Sequence, residues 1–344
     1  MPASPPASPD QHDQRHSRIH PADSTPGTRG SLRSRASAHV SARTLRRISA
    51  VLPPEQAWGL WTSRRIVAGI MDAFGPPLSG LTIEHVDDVL PDGRRVVGDW
   101  VRAGSTTQTH AIYYLHGSGY ALCSARTHRR LAGWLSSLTG LPVFCIDYRL
   151  APRHPFPAAA DDVHAGWDWL HTVGGLSPER TVVAGDSAGG HLAVDLLLHH
   201  ADAAPAAMVL FSPLADLTFA LARTRESVHP DPAIRSVDAL RLVGMYSRGI
   251  DPTHPRLTHE LRDCAAPPPT LIQAGGAEML AADAEHLAAA LRAAGGECEL
   301  QIWPDQVHVF QALPRLAPEA TAAMEHVASF IRNTLADHTD SRVG

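Results

Sequence analysis

Lysine is absent from this chain of 344 residues, and apart from histidine every basic side chain is arginine. That gap excludes chemistry built on a lysine amine: Schiff-base enzymes, pyridoxal phosphate enzymes, the P-loop lysine and the Ser-x-x-Lys hydrolases. The abundance of Ala, Arg and Pro points to GC-rich coding rather than selection against lysine. Cysteine is scarce as well. Cys123, Cys145, Cys264 and Cys298 are scattered with no CxxC spacing. They read as reduced, mostly structural thiols in a reducing, cytoplasmic compartment, and offer no pattern for a metal site. No stretch approaches the roughly 20 uninterrupted apolar residues of a membrane span, and the N-terminus lacks the apolar core of a signal peptide. With 44% hydrophobic residues and a net charge of −5, the chain reads as an ordinary soluble globular protein. Its length suits one large α/β domain with an insertion, or two small domains.

Residues 1–40 are rich in Pro, Ser, His and Arg and poor in large apolar side chains. Such a segment cannot bury enough surface to offset its ordering entropy, so a disordered tail is expected. From 29 to 47 it carries arginines and no acid. This is a solvated tail, a tether to an anionic surface or nucleic acid, or a transit peptide. The solvated tail is the reading taken, with no nucleic-acid partner. Apolar residues at helical spacing (Leu45, Ile48, Leu52, then Trp58, Trp61, Ile66, Ile70) predict one or two amphipathic helices within 41–80. Paired strands follow over 87–102, around Pro91-Asp92-Gly93. Strands near 111–115, 143–147, 181–184, 208–211, 270–273 and 299–303 then alternate with helices near 126–138, 157–171, 188–200, 281–294 and 318–335. That alternation predicts an α/β fold, a mostly parallel sheet with helices on both faces. The core is placed at 81–212 and 256–336. An irregular Pro-, Arg- and His-bearing insertion at 213–255 is expected to cover the site, and 337–344 to be a flexible C-terminus.

Within that frame Thr181-Val182-Val183 leads into Gly185-Asp186-Ser187-Ala188-Gly189 and an apolar, helix-like stretch. Strand, Gly-x-Ser-x-Gly, helix is the setting of a nucleophile elbow. A sharp turn exposes the serine hydroxyl and crowds the backbone, so glycines stand where side chains have no room. A glycine-rich turn with an incidental serine is the plainer reading, and the partners weigh against it. A serine hydroxyl is a weak nucleophile that needs a base, and the base needs an orienting acid. In this chain order both follow on loops after later strands. His308, just past the strand ending at Trp303, is the expected base; His286 and His326 fall mid-helix. Glu278, on the loop after 270–273, is the expected acid, with Asp283 further into the next helix as the alternative. An oxyanion hole needs preorganised N–H groups, each worth on the order of 10²–10³ in rate. Ala188, at the positive end of the following helix, is one donor. Gly117 and Ser118 are the others, with Gly119 letting the backbone turn.

These residues fall into a wider pattern. His-Gly-x-Gly-Tyr at 116–120 is followed by Asp147-Tyr148-Arg149-Leu150-Ala151-Pro152 and His154-Pro155-Phe156-Pro157-Ala158-Ala159. Then come Gly185-Asp186-Ser187-Ala188-Gly189-Gly190, Ser212-Pro213 and the block around Glu278 and His308. From about 81 to 332 the chain resembles the bacterial hormone-sensitive-lipase-like esterases (family IV), the fold-3 branch of the α/β-hydrolases. The resemblance implies the α/β-hydrolase fold, with a helical cap built from 41–80 and 213–255. It implies a serine carboxylesterase that hydrolyses short- to medium-chain esters through an acyl-enzyme, with a small-molecule ester as partner and no cofactor or metal. It admits a homodimer through the last strand and helix, as relatives often form, and leaves oligomeric state open. Three departures stand out: Ser118 replaces a glycine, Glu278-Met279-Leu280 replaces Asp-Pro-Leu, and Val309 stands where glycine follows the histidine. Asp147 and Arg149 are expected to tie the loop after their strand rather than to act in catalysis. Two other readings remain: a deacetylase or lactonase of a secondary metabolite using the same triad, and a non-catalytic small-molecule binding protein. Retention of both the serine and the histidine counts against the last.

Overall fold

Among the described residues, runs rich in β-branched and aromatic residues form eight strands: β1 (Leu81–Val89), β2 (Arg95–Ala103), β3 (Ala111–Leu115), β4 (Val143–Ile146), β5 (Thr181–Asp186), β6 (Ala207–Phe211), β7 (Thr270–Gly275) and β8 (Cys298–Trp303). They make one sheet of order β1-β2-β4-β3-β5-β6-β7-β8. The pairings β1–β2 and β2–β4 are antiparallel, and every later pairing is parallel. The computed structural model describes residues 29–340, except 108, 118, 201, 202, 265 and 266.

β1 and β2 are a hairpin closed at Gly93, whose φ of 88° is open to glycine at no steric cost. Strands β3 to β7 bury every residue, as parallel strands do when helices cover both faces. One face carries α4 (Ala125–Thr139) and α11 (Glu319–Asp340); the other carries α5 (Ala158–Thr172), α6 (Ala188–His199) and α10 (Ala281–Ala293). Alternation along β3 feeds both layers. Ile112 and Tyr114 join the first, and Tyr113 and Leu115 the second. Each large apolar side chain so buried contributes about 1.5–3 kcal/mol. Local signals mark the helix ends: Ser124 and Thr127 form a capping box at the start of α4, and Gly140 closes it with φ 71°.

Among the described residues three helices precede the sheet: α1 (Leu32–Arg43), α2 (Leu45–Val51) and α3 (Ala57–Phe74). The expected disordered tail at 1–40 is therefore corrected over its described part, since the chain is helical from Leu32. Periodicity missed α1 because only Ser34 in it is buried and a polar anchor holds it. Glu319, opening α11, accepts the Ser31 N–H at 2.5 Å and the Ser34 hydroxyl at 2.6 Å. Residues 1–28 lie outside the described residues. At the other end the α11 backbone continues to Asp340, past the expected flexible start at 337, and 341–344 lie outside the described residues. The insertion at 213–255 is less irregular than its composition suggests, because α7 (Ala220–Glu226) and α8 (Ser236–Val243) lie in it. A short helix, α9 (Pro255–Thr258), leads back into the core.

Candidate active site

The parallel strands present their C-terminal ends together, the place where open α/β sheets bind ligands. At the end of β5 the chain turns at Ser187 with φ 51° and ψ −119°. A non-glycine residue held there costs roughly 1–3 kcal/mol, and the surroundings fix it. Ser187 donates its N–H to the Phe211 carbonyl at 3.0 Å, and its own carbonyl accepts from Gly190 at 2.9 Å and Leu214 at 3.0 Å. The flanking glycines are required by space. A Cβ on Gly185 would stand 2.8 Å from the Gly189 carbonyl oxygen, and one on Gly189 only 1.9 Å from that of Leu115.

The loops after β7 and β8 are stitched together. Gly276 donates to the Trp303 carbonyl at 2.7 Å and Ala277 to that of Gln306 at 3.0 Å. This brings Glu278 against His308, with Oε2 2.5 Å from Nδ1. Glu278 is 1% exposed, and its other oxygen accepts the Ser212 hydroxyl and the Gly275 N–H, both at 2.6 Å. The Ser212 Oγ in turn accepts the Val309 N–H at 3.0 Å. One hydroxyl thus fixes both the carboxylate and the residue after the histidine. Burial alone would lower the His308 pKa. The charge and hydrogen bond of Glu278, helped by Asp231 and Asp186, instead hold it above the ordinary histidine value.

Of the two candidate acids, the geometry brings only Glu278 to His308. Asp283 points its Oδ1 at the N–H groups of Ala215 and Asp216, at 3.0 and 2.9 Å, and ties the start of the insertion to α10. Burial pushes its carboxyl up to about 7, against the opposing pull of those two N–H groups.

The oxyanion donors divide. Ala188 opens α6 directly after Ser187, at the positive end of the helix. Gly117 is a correction: its N–H donates to Asp186 Oδ1 at 2.8 Å, so it is engaged by a buried carboxylate and is not open to an oxyanion. Gly117 is glycine for a different reason, since a Cβ there would lie 1.9 Å from Asp186 Oδ2. Asp186 also accepts the Tyr114 hydroxyl at 2.8 Å and faces His128 at 3.3 Å. Burial would raise its pKa, but His128 and these donors hold it below the usual carboxylate value. Ser118 lies outside the described residues. Gly119, with φ 51°, follows it and faces Leu242.

Ser187 and His308 line one cavity of about 310 Å³, walled by apolar side chains such as Leu214, Phe219, Leu242 and Ile70. A second cavity of about 230 Å³ adjoins it and shares Val67, Ile70, Ile234 and Leu242. Residues of α2, α3 and the 213–255 insertion line both, and α1 adds Ser37 and Ser41 to the first.

Asp147 and Arg149 hold structure, as expected. Asp147 accepts the Ala125 N–H at 3.1 Å, and Arg149 grips Asp162 at 2.7–3.0 Å. Away from the cavity, His164, Asp195 and His199 bring potential metal-binding atoms within 4.8 Å of one another. Arg256 already forks onto that carboxylate at 3.0–3.3 Å, giving it a cationic partner. Sequence reasoning missed four supporting residues. Ser212 was legible as Ser-Pro after a strand, and Asp186 as part of the elbow motif. Arg225, which donates to the Gly276 and Glu278 carbonyls, and Asp231, which accepts the Met279 N–H, lie in an insertion with no pattern to flag them.

The family described as alpha/beta hydrolase fold matches residues 112–312. Esterase LipU of Mycobacterium tuberculosis is 39% identical over 235 residues, covering 64% of this chain and 77% of LipU. An acetyl-hydrolase of Streptomyces hygroscopicus is 35% identical over 268 residues, covering 76% and 86%. The crystal structure of an esterase from the bacterial hormone-sensitive lipase family superposes with a TM-score of 0.77 at 28% identity, covering 89% of this chain and 99% of that one. Strand order, elbow and family match define an α/β hydrolase. Within that class the chain belongs to the hormone-sensitive-lipase-like family of bacterial esterases.

Proposed function

We propose that this carboxylic ester hydrolase works through an acyl-enzyme, with Ser187 as nucleophile, His308 as base and then acid, and Glu278 as the group that orients the imidazole. One observation carries the reading. A serine at positive φ and a histidine whose Nδ1 meets a buried carboxylate line the same apolar cavity. With the Nδ1 proton directed at Glu278, Nε2 is left as the acceptor. Ser187 attacks the ester carbonyl while Nε2 takes its proton. The N–H groups of Ala188 and Gly119, with that of Ser118 as read from sequence, meet the oxyanion. Collapse expels the alcohol, which receives the proton from His308. Water, activated by the same base, then attacks the acyl carbon, releases the carboxylic acid and restores Ser187.

Short to medium acyl chains suit the apolar wall. The core at 81–212 and 256–336 would supply the reacting groups, and 41–80 with 213–255 the cap, a division supported by the residues lining the cavities. No helix among the described residues is long and apolar enough to cross a membrane. Four free cysteines support a reducing, cytoplasmic setting. Pairing of two copies through the open edge strand β8 is part of the reading, and sedimentation equilibrium tests it.

Hydrolysis of p-nitrophenyl acetate, butyrate and octanoate by wild type and Ser187→Ala tests the chemistry. Turnover by wild type with a loss of about 10⁴–10⁶-fold in Ser187→Ala is expected; full activity in the variant overturns it. The relative named an acetyl-hydrolase favours one second reading, a deacetylase using the same residues. A rate confined to the acetyl substrate would select it.

A further inference from the structure

We propose that the outer face of α1–α3 is a docking surface for an anionic lipid–water interface. The two sides of α3 differ sharply. Its inner side lines the cavities with Ile66, Val67 and Ile70. Its outer side exposes Trp58, Trp61 and Arg65, spaced three and four residues apart on one stripe. The tryptophans are 57% and 61% exposed, and the Arg65 guanidinium lies 5.5 Å from the Trp61 ring. Val51, at the end of α2, is 75% exposed, and Ile48 one turn earlier is both exposed and part of the wall of the second cavity. Large apolar groups on a monomer surface mark an interaction site when they cluster, and Trp beside Arg is the pairing favoured at the headgroup level of a bilayer.

Charge selects the partner. From 29 to 65 the only acid is Glu55, and it is spent on Arg241 at 2.8 Å. Arg33, Arg35, Arg43, Arg47 and Arg65 are exposed on these helices, on a chain whose net charge is −5. A second copy docking face to face would set these cations against their own kind, whereas an anionic lipid surface neutralises them, each near-surface cation adding favourably. Exposed tryptophan and valine suit lipid better than a phosphate backbone alone. The same helices wall the apolar cavities from the inside, so docking would set a lipid-dissolved substrate against the wall at Ile48.

This surface does not depend on the Ser187 chemistry, and the test keeps the two apart. The full chain is cosedimented with vesicles of phosphatidylcholine and of phosphatidylcholine–phosphatidylglycerol mixtures across a salt series, and each protein is also assayed on soluble p-nitrophenyl acetate. Binding to the anionic vesicles that weakens with salt is expected. Trp58→Ala/Trp61→Ala should lose about tenfold or more of it. Arg33→Gln/Arg35→Gln/Arg47→Gln should lose about a hundredfold. Both variants should hydrolyse p-nitrophenyl acetate as wild type does, which also reports that they fold. Absence of binding to anionic vesicles, or binding that both variants retain, overturns the proposal. A dimer dissolved by the tryptophan changes, without vesicle binding, overturns it too and assigns the face to a second copy. Vesicle binding with an inert wild type on the ester would fault the esterase reading alone.

Discussion

Two carboxylates a few residues apart meet opposite fates, and their surroundings explain why. Glu278 is fully engaged, with two donors on one oxygen and His308 on the other. In the proposed mechanism His308 must be neutral to act as base, and its raised pKa sets the pH at which activity appears. Glu278→Gln should therefore lower kcat by about 10²–10⁴-fold and move the acid limb of the kcat/KM profile to lower pH. An unmoved limb would refute the pairing. Asp283 is held near neutrality: burial lifts it to about 7, and its Oδ2 has no hydrogen-bond partner among the described residues. Its folded pKa exceeds the unfolded one. The stability it contributes is complete below the unfolded value and disappears as pH rises through about 7. Wild type should lose melting temperature across that window, whereas Asp283→Asn should flatten the dependence and keep its activity. Equal slopes in the two proteins would count against the assignment.

Elements rather than single residues set the distance between Ser187 and its partners. The stitched loops after β7 and β8 carry Glu278 to His308, and Ser212 pins both. Ser212→Ala leaves the Val309 N–H and one Glu278 oxygen short of a partner, which should cost about 1–3 kcal/mol in stability. It should also lower kcat more than it raises KM, as expected where positioning rather than binding is lost. A pure KM effect would place Ser212 elsewhere in the mechanism. The strands and their order of use were legible in the sequence because buried parallel strands and their helices repeat with fixed periods; β3, β5 and β7 lie within a residue or two of their expected limits. Ser187, His308 and Glu278 were legible from position relative to those strands. α1 was not, because a carboxylate 288 residues away anchors it. Gly117 was assigned the wrong task for the same reason, since the carboxylate that takes its N–H comes from another strand.

At the scale of the molecule, two adjoining apolar cavities are walled by residues of the N-terminal helices and of the 213–255 segment. Leu242 of α8 lines both. Leu242→Trp should fill the space where the two cavities share a wall, lowering kcat/KM for octanoate relative to acetate by about tenfold or more at roughly 0.8 kcal/mol per buried methylene; an unchanged ratio would mean the acyl chain takes another path. The measurement that bears most directly on the whole account is labelling with a p-nitrophenyl alkylphosphonate, followed by peptide mass spectrometry. One equivalent of nitrophenol should be released as activity falls, with the phosphonyl group on Ser187 and much slower labelling in His308→Ala. Phosphonyl on any other residue, or full ester hydrolysis surviving complete labelling of Ser187, would contradict it.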